Sequence, residues 1–185
     1  MLIKPFDVAN IELKIVRFEE SYHIKFPQQY REFLVKYNGG ITPQTSFRVK
    51  PRKIENVSGF YGLGVADDWD LMAHPCLEDF LCEGYLPIAE DDFGNDYLIG
   101  VGRENHGKIY FYDQEEQKAE LVRENLKTFV LSCESKKPKK VRSIAEREAS
   151  MAAKGRSQFV DDELRAAWQA EIDYYGGERE AVVID

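Results

Sequence analysis

The chain has 185 residues, 43% hydrophobic and 12% aromatic, enough for one well-packed domain with an appendage and short for two full domains. With 33 acidic against 25 basic residues the formal net charge is −8, which argues against nucleic acid as a partner and favours a basic protein. The first eight residues hold one Lys and no apolar core, so no secretory signal is expected, and no run approaches the roughly 18 apolar residues of a membrane helix.

In chain order, Ile11, Ile15, Phe18 and Tyr22 recur at helical spacing and predict a helix over 10–22, with Asn10 as its cap. A second helix follows from Pro27, with Tyr30, Phe33, Leu34 and Tyr37 on one face. Asn38-Gly39-Gly40 ends it with residues that tolerate positive φ. After Gly40 the period changes. Residues 45–49 alternate as a strand, 57–65 read as a strand or extended loop, and 67–80 hold a short helix broken near Pro75. Three short apolar runs over 85–89, 97–101 and 108–112 are separated by turn-formers and predict an antiparallel meander. Leu121, Leu126, Phe129 and Val130 then predict a helix over 121–133.

At Lys136 the character changes. Residues 136–142 are basic and interrupted by Pro138, as in a linker. Ser143 and Glu146 have capping-box spacing for a further helix. Leu164, Trp168, Ile172 and Tyr175 stripe a last one over 162–175, stopped by Gly176-Gly177. The expected organisation is an α+β domain over 1–135, a linker over 136–142 and a helical extension over 143–185.

No nucleophile elbow, P-loop or dinucleotide fingerprint is present, and Gly59 to Gly64 lacks the Lys-Ser/Thr of a phosphate cradle. His74, Cys76 and Cys82 match no common zinc spacing. Glu90, Asp91, Asp92 and Asp96 do not alternate as calcium ligands do, so they read as a polar hairpin turn. No catalytic residue, metal or cofactor is expected. Cys76, Cys82 and Cys133 are odd in number and form no CxxC pair, which fits free thiols in a reducing cytoplasm.

Charge is more informative than motif. From Ile54 to Gly102 there is no Lys or Arg, while eleven Asp and Glu fall in the same interval. A negative face suited to a cationic protein follows. Its partner-binding candidates are Asp67, Asp68, Trp69, Asp70, Asp91, Asp92 and Asp96, which cluster beside a Trp and at a turn. Tyr61 and Tyr85 join Trp69 as aromatic anchors, with burial in the core as the competing assignment.

The order Phe26-Pro27, Tyr30, Phe33-Leu34, Asn38-Gly39-Gly40, then the run from Tyr85 to Asp92, Gly94-Asn95-Asp96 and the run from Gly107 to Asp113, with Phe129 in a closing helix, resembles the SUKH superfamily. The resemblance spans about Asn10 to Cys133. It implies a mixed, mainly antiparallel sheet flanked by helices. It also implies a role in binding proteins: bacterial members resemble immunity proteins that neutralise toxins, often nucleases, and fungal members of the Smi/Knr type resemble signalling scaffolds. The residues from Lys136 onward depart from the pattern.

Overall fold

The computed structural model describes residues 1–50, 53–65, 67–137 and 140–184, without the side chains of residues 49, 50, 53, 54 and 67. They form two compact units, Met1–Lys136 with Arg179–Asp185, and Lys137–Glu178.

In the first unit, β1 (Leu2–Pro5) precedes α1 (Ile11–Ser21) and α2 (Gln28–Tyr37). The helical stripe behaves as its spacing requires, because Ile15 and Phe18 of α1 and Tyr30, Phe33, Leu34 and Tyr37 of α2 are all buried. Asn10 does not cap α1 as expected. It sits in the left-handed region at φ 60°, and its side chain makes no capping bond. The helical hairpin is instead tied by Glu19, which is 4% exposed and accepts from the Phe26 N–H and from Lys25 and Arg31.

The strands follow as β2 (Gly40–Ile41), β3 (Thr45–Lys50), β4 (Lys53–Asn56) and β5 (Gly59–Phe60). After two short 3-10 turns, Asp67–Trp69 and Leu71–Ala73, come α3 (Leu77–Cys82), β6 (Tyr85–Glu90), β7 (Asp96–Gly100), β8 (Ile109–Asp113) and β9 (Lys118–Arg123). The unit continues with α4 (Leu126–Ser132) and β10 (Cys133–Ser135), and β11 (Glu180–Ala181) rejoins it at the end of the chain. One sheet runs in the order β11-β1-β2-β5-β6-β7-β8-β9 and a second in the order β10-β3-β4. The pairings between these strands are antiparallel.

The helix expected over 121–133 is shorter in the structure. Residues 118–123 extend the meander as β9, where Val122 is buried and Leu121 is 45% exposed. The helix starts only after Asn125, whose Oδ1 accepts from the Thr128 N–H at 2.9 Å. Phe129 of α4 then packs against Phe47, Phe60 and Tyr97, which joins the two sheets into one core.

The second unit holds α5 (Ile144–Ala153), a 3-10 turn at Ser157–Phe159 and α6 (Asp162–Tyr175). Ser143 and Glu146 form a reciprocal capping box on α5. Arg147 pairs with Glu171, and Arg165 pairs with Glu148. Of the linker expected over 136–142, Pro138 and Lys139 lie outside the described residues. The extension expected over 143–185 differs from the structure at its end. Val182 and Ile184 are buried with the sheet, because β11 offers β1 an antiparallel partner.

Candidate functional site

A pocket of about 640 Å³ opens at one end of the large sheet. Strand register assembles it. Glu90 ends β6 directly opposite Asp96, which opens β7, and Gly59 of β5 pairs with Glu90 on the other side. Tyr61 follows β5, Gly94 lies in the β6–β7 turn and Gln114 follows β8, so four chain segments converge on the pocket. The 3-10 turns supply the remaining wall, with Asp68, Asp70, Ala73, His74 and Pro75.

Asn38-Gly39-Gly40 holds the Tyr61 wall in place. The Asn38 side chain accepts from the Leu63 N–H at 2.8 Å and donates to the Leu63 carbonyl at 3.2 Å. A Cβ on Gly39 would stand 2.5 Å from the Phe60 carbonyl oxygen, so only glycine allows the α2 terminus to approach β5 this closely. The motif that ends a helix in sequence therefore also positions the site.

Two carboxylates facing each other across a hairpin repel, and here donors offset that repulsion at Asp96 more than at Glu90. Asp96 is 2% exposed and saturated with donors. Its Oδ1 takes His74 Nε2 at 3.1 Å and the Tyr61 hydroxyl at 3.4 Å, and its Oδ2 takes Gln114 Nε2 at 2.8 Å. The Cys76 N–H donates to His74 Nδ1 at 3.2 Å, so Nε2 is the ring nitrogen that presents an N–H to Asp96. With both nitrogens engaged, His74 holds Asp96 in place.

Glu90 is less compensated. Its Oε2 takes the Tyr61 hydroxyl at 2.8 Å, and its Oε1 has no hydrogen bond among the described residues. Burial first, and then the charges of Asp96 and Asp91, hold its pKa above the ordinary value, although the Tyr61 bond and His74 pull the other way. Burial above all, and then the carboxylates of Asp96 and Glu90, push the Tyr61 hydroxyl far up, so it stays a donor.

The structure separates the residues expected to bind a partner. Asp68, Asp70 and Asp96 line the pocket. Asp70 is partly committed, since its Oδ1 accepts from the Met72 N–H at 3.0 Å. Asp91 is buried inside the turn, accepting from the N–H groups of Phe93 and Asn95 and from the Asn95 amide. Asp92 is tied to the Asn56 and Ser58 side chains. Trp69 lies over Gly59 and faces the rings of Phe6 and Tyr61. Tyr85 pairs with Tyr110, and neither it nor Trp69 lines the pocket. The side chain of Asp67 lies outside the described residues.

Sequence reasoning left Glu90, His74 and Gln114 out of the partner-binding set. Glu90 carried a signal, as a member of the acidic stretch at the turn. Gln114 carried none, because only the β8–β9 turn brings it beside Asp96. Among the described residues, no group of three His, Cys, Asp or Glu side chains is arranged to hold a metal ion. Nor is any helix among them long and apolar enough to cross a membrane.

A helical hairpin on an antiparallel sheet, closed by a helix, makes an α+β domain consistent with a SUKH-like fold. Residues 12–132, well over half of the chain, match the SMI1 / KNR4 family (SUKH-1), and the chain belongs to that family. No curated protein and no solved structure matches it significantly.

Proposed function

We propose that the chain is a non-catalytic immunity protein, working in the cytoplasm, that binds and neutralises a basic bacterial toxin domain of the nuclease kind. The observation that carries this reading is the pocket. Asp68, Asp70, Glu90 and Asp96 line it, and no Lys or Arg does so among the described residues. A nuclease must approach phosphates and is therefore basic, so an acidic concave surface can occupy the ground its substrate would take. Membership of a family that includes toxin-immunity proteins supports the same reading. The non-catalytic part rests on His74 and Asp96, whose polar atoms are already committed to each other and to Cys76, Tyr61 and Gln114. The SMI1 / KNR4 match also favours a second reading, a regulatory scaffold without a toxin.

Coexpression with the toxin domain encoded beside it in the native host separates the two. Immunity requires restored growth and a purifiable complex. Changing both Asp68 and Glu90 to Lys should slow association at low salt. That difference should shrink toward about 0.15 M ionic strength, where the Debye length is about 8 Å. Undiminished killing with no complex would overturn immunity and leave the scaffold.

A further inference from the structure

We propose that the pocket is a receptor for one arginine side chain of the protein partner, inserted guanidinium first, with the exposed Phe93, in the turn that carries Gly94, as the apolar contact for the flanking partner surface. The proposal rests on the binding reading above and names the chemistry it uses.

Three features of the pocket select this occupant. Its volume of about 640 Å³ admits a whole side chain and is far beyond one water or one ion. Its walls are mixed. Val65, Ala73 and Pro75 offer an apolar lining for methylene groups, while the carboxylates define a cationic destination.

The third feature is the division of labour among those carboxylates. Tyr61, His74 and Gln114 meet both oxygens of Asp96, so this residue contributes chiefly a fixed charge. The open acceptors are Glu90 Oε1, Asp70 Oδ2 and the exposed Asp68 carboxylate, none of which has a hydrogen bond among the described residues. A guanidinium presents several donors in one plane and is more weakly hydrated than an ammonium, so it can serve separated acceptors and enter a half-enclosed site at lower desolvation cost.

Phe93 is an independent observation. It is 80% exposed, the most exposed large hydrophobic residue among the described residues, and it precedes Gly94 of the pocket wall in the chain. Its backbone is not loose, because Asp91 Oδ1 accepts from the Phe93 N–H at 2.8 Å and from the Asn95 N–H at 2.9 Å. An exposed aromatic ring on a hydrogen-bonded turn that also supplies a residue of the acidic pocket suits an interface anchor.

The test uses the full chain and Nα-acetyl-arginine methylamide as probe, followed by amide NMR. The expected result is a saturable set of shifts confined to the backbone amides around Tyr61 and Gly94 and the Gln114 side-chain amide. The lysine analogue should bind more weakly, and the neutral citrulline analogue should give no saturable shift. Glu90→Gln, which keeps an acceptor for Tyr61, should abolish saturation. Asp68→Asn, at an exposed position, makes the same test should Glu90→Gln disturb the fold.

Shifts scattered over the surface would overturn the proposal. So would an equal response to citrulline, lysine binding as tight as arginine, or saturation unchanged in the variants. A toxin complex that forms although the probe does not bind removes the arginine receptor and keeps the immunity reading. A probe that binds as described, with no toxin complex, does the reverse.

Discussion

Glu90 shows how one residue sets the electrostatics of the site. Its folded pKa is raised, chiefly by burial and then by Asp96 and Asp91, with Tyr61 and His74 opposing. A raised carboxyl pKa penalises the folded state only where the group must ionise. The penalty is absent below the ordinary value of 4.5 and appears as the pH rises through the folded value. Glu90→Gln should therefore gain melting temperature relative to wild type between about pH 4.5 and neutrality. Parallel melting curves across that window would show that Glu90 carries no such penalty. The thiols make a second residue-scale prediction. Burial pushes the Cys133 thiol up to about 12, whereas Cys82 is exposed on α3. Iodoacetamide at mildly alkaline pH should label Cys82 first and leave Cys133 unlabelled until the protein unfolds, as peptide mass mapping would read. Early labelling of Cys133 would mean that its burial is lost in solution.

The element that most directly shapes the site is the α2 terminus. Gly39 has φ +78°, and a Cβ there would meet the carbonyl oxygens of Phe60 and Tyr61 at 2.5 and 2.6 Å. Gly94, in the β6–β7 turn, has φ +81°, and a Cβ there would have nothing within 4 Å. Both replacements by Ala incur left-handed backbone strain of about 1 kcal/mol. Only Gly39→Ala also forces two backbones apart, so it should lose more than about 2–3 kcal/mol in urea unfolding, against about 1 kcal/mol for Gly94→Ala. Equal losses would show that β5 yields to α2 without resistance. The β9 segment makes a related point about elements. Leu121 fits a helical stripe in sequence, yet strand pairing with β8 claims residues 118–123 because β9 extends the ladder and buries Val122.

For the whole molecule, the last residues decide where the first unit ends. β11 pairs with β1, the Val183 N–H donates to the Tyr37 hydroxyl at 2.9 Å, and Val182 and Ile184 are each 8% exposed. A chain ended at Glu178 should melt below the full chain. Removing two nearly buried aliphatic side chains at a sheet edge costs about 1–2 kcal/mol each, before any loss of pairing. An unchanged melting temperature would mean that 179–184 adds nothing to the first unit. Ending the chain at Ser135 removes the same strand, so such a fragment should be no more stable than the one ended at Glu178.

What the sequence determined by itself was local or periodic. The stripe of α2, the helical span of α6, the capping box at Ser143 and Glu146, and the meander over β6, β7 and β8 depend on neighbours three, four or two residues away, although the α6 stripe buries no residue and leaves Tyr175 55% exposed. Their physics is therefore written within each segment. The acidic interval was equally legible, because charge can be counted along a chain. Tertiary structure alone decided which acids do what. Asp91 and Asp92 are consumed by the turn and by Asn56 and Ser58, whereas Glu90 and Asp96 are set face to face and met by Tyr61, His74 and Gln114. These partners lie up to 35 residues away from the acids they contact at the pocket, and strand register, not spacing, brings them together. The return of β11 to β1 is the extreme case, joining Ala181 to Leu2 through hydrogen bonds that no local pattern announces.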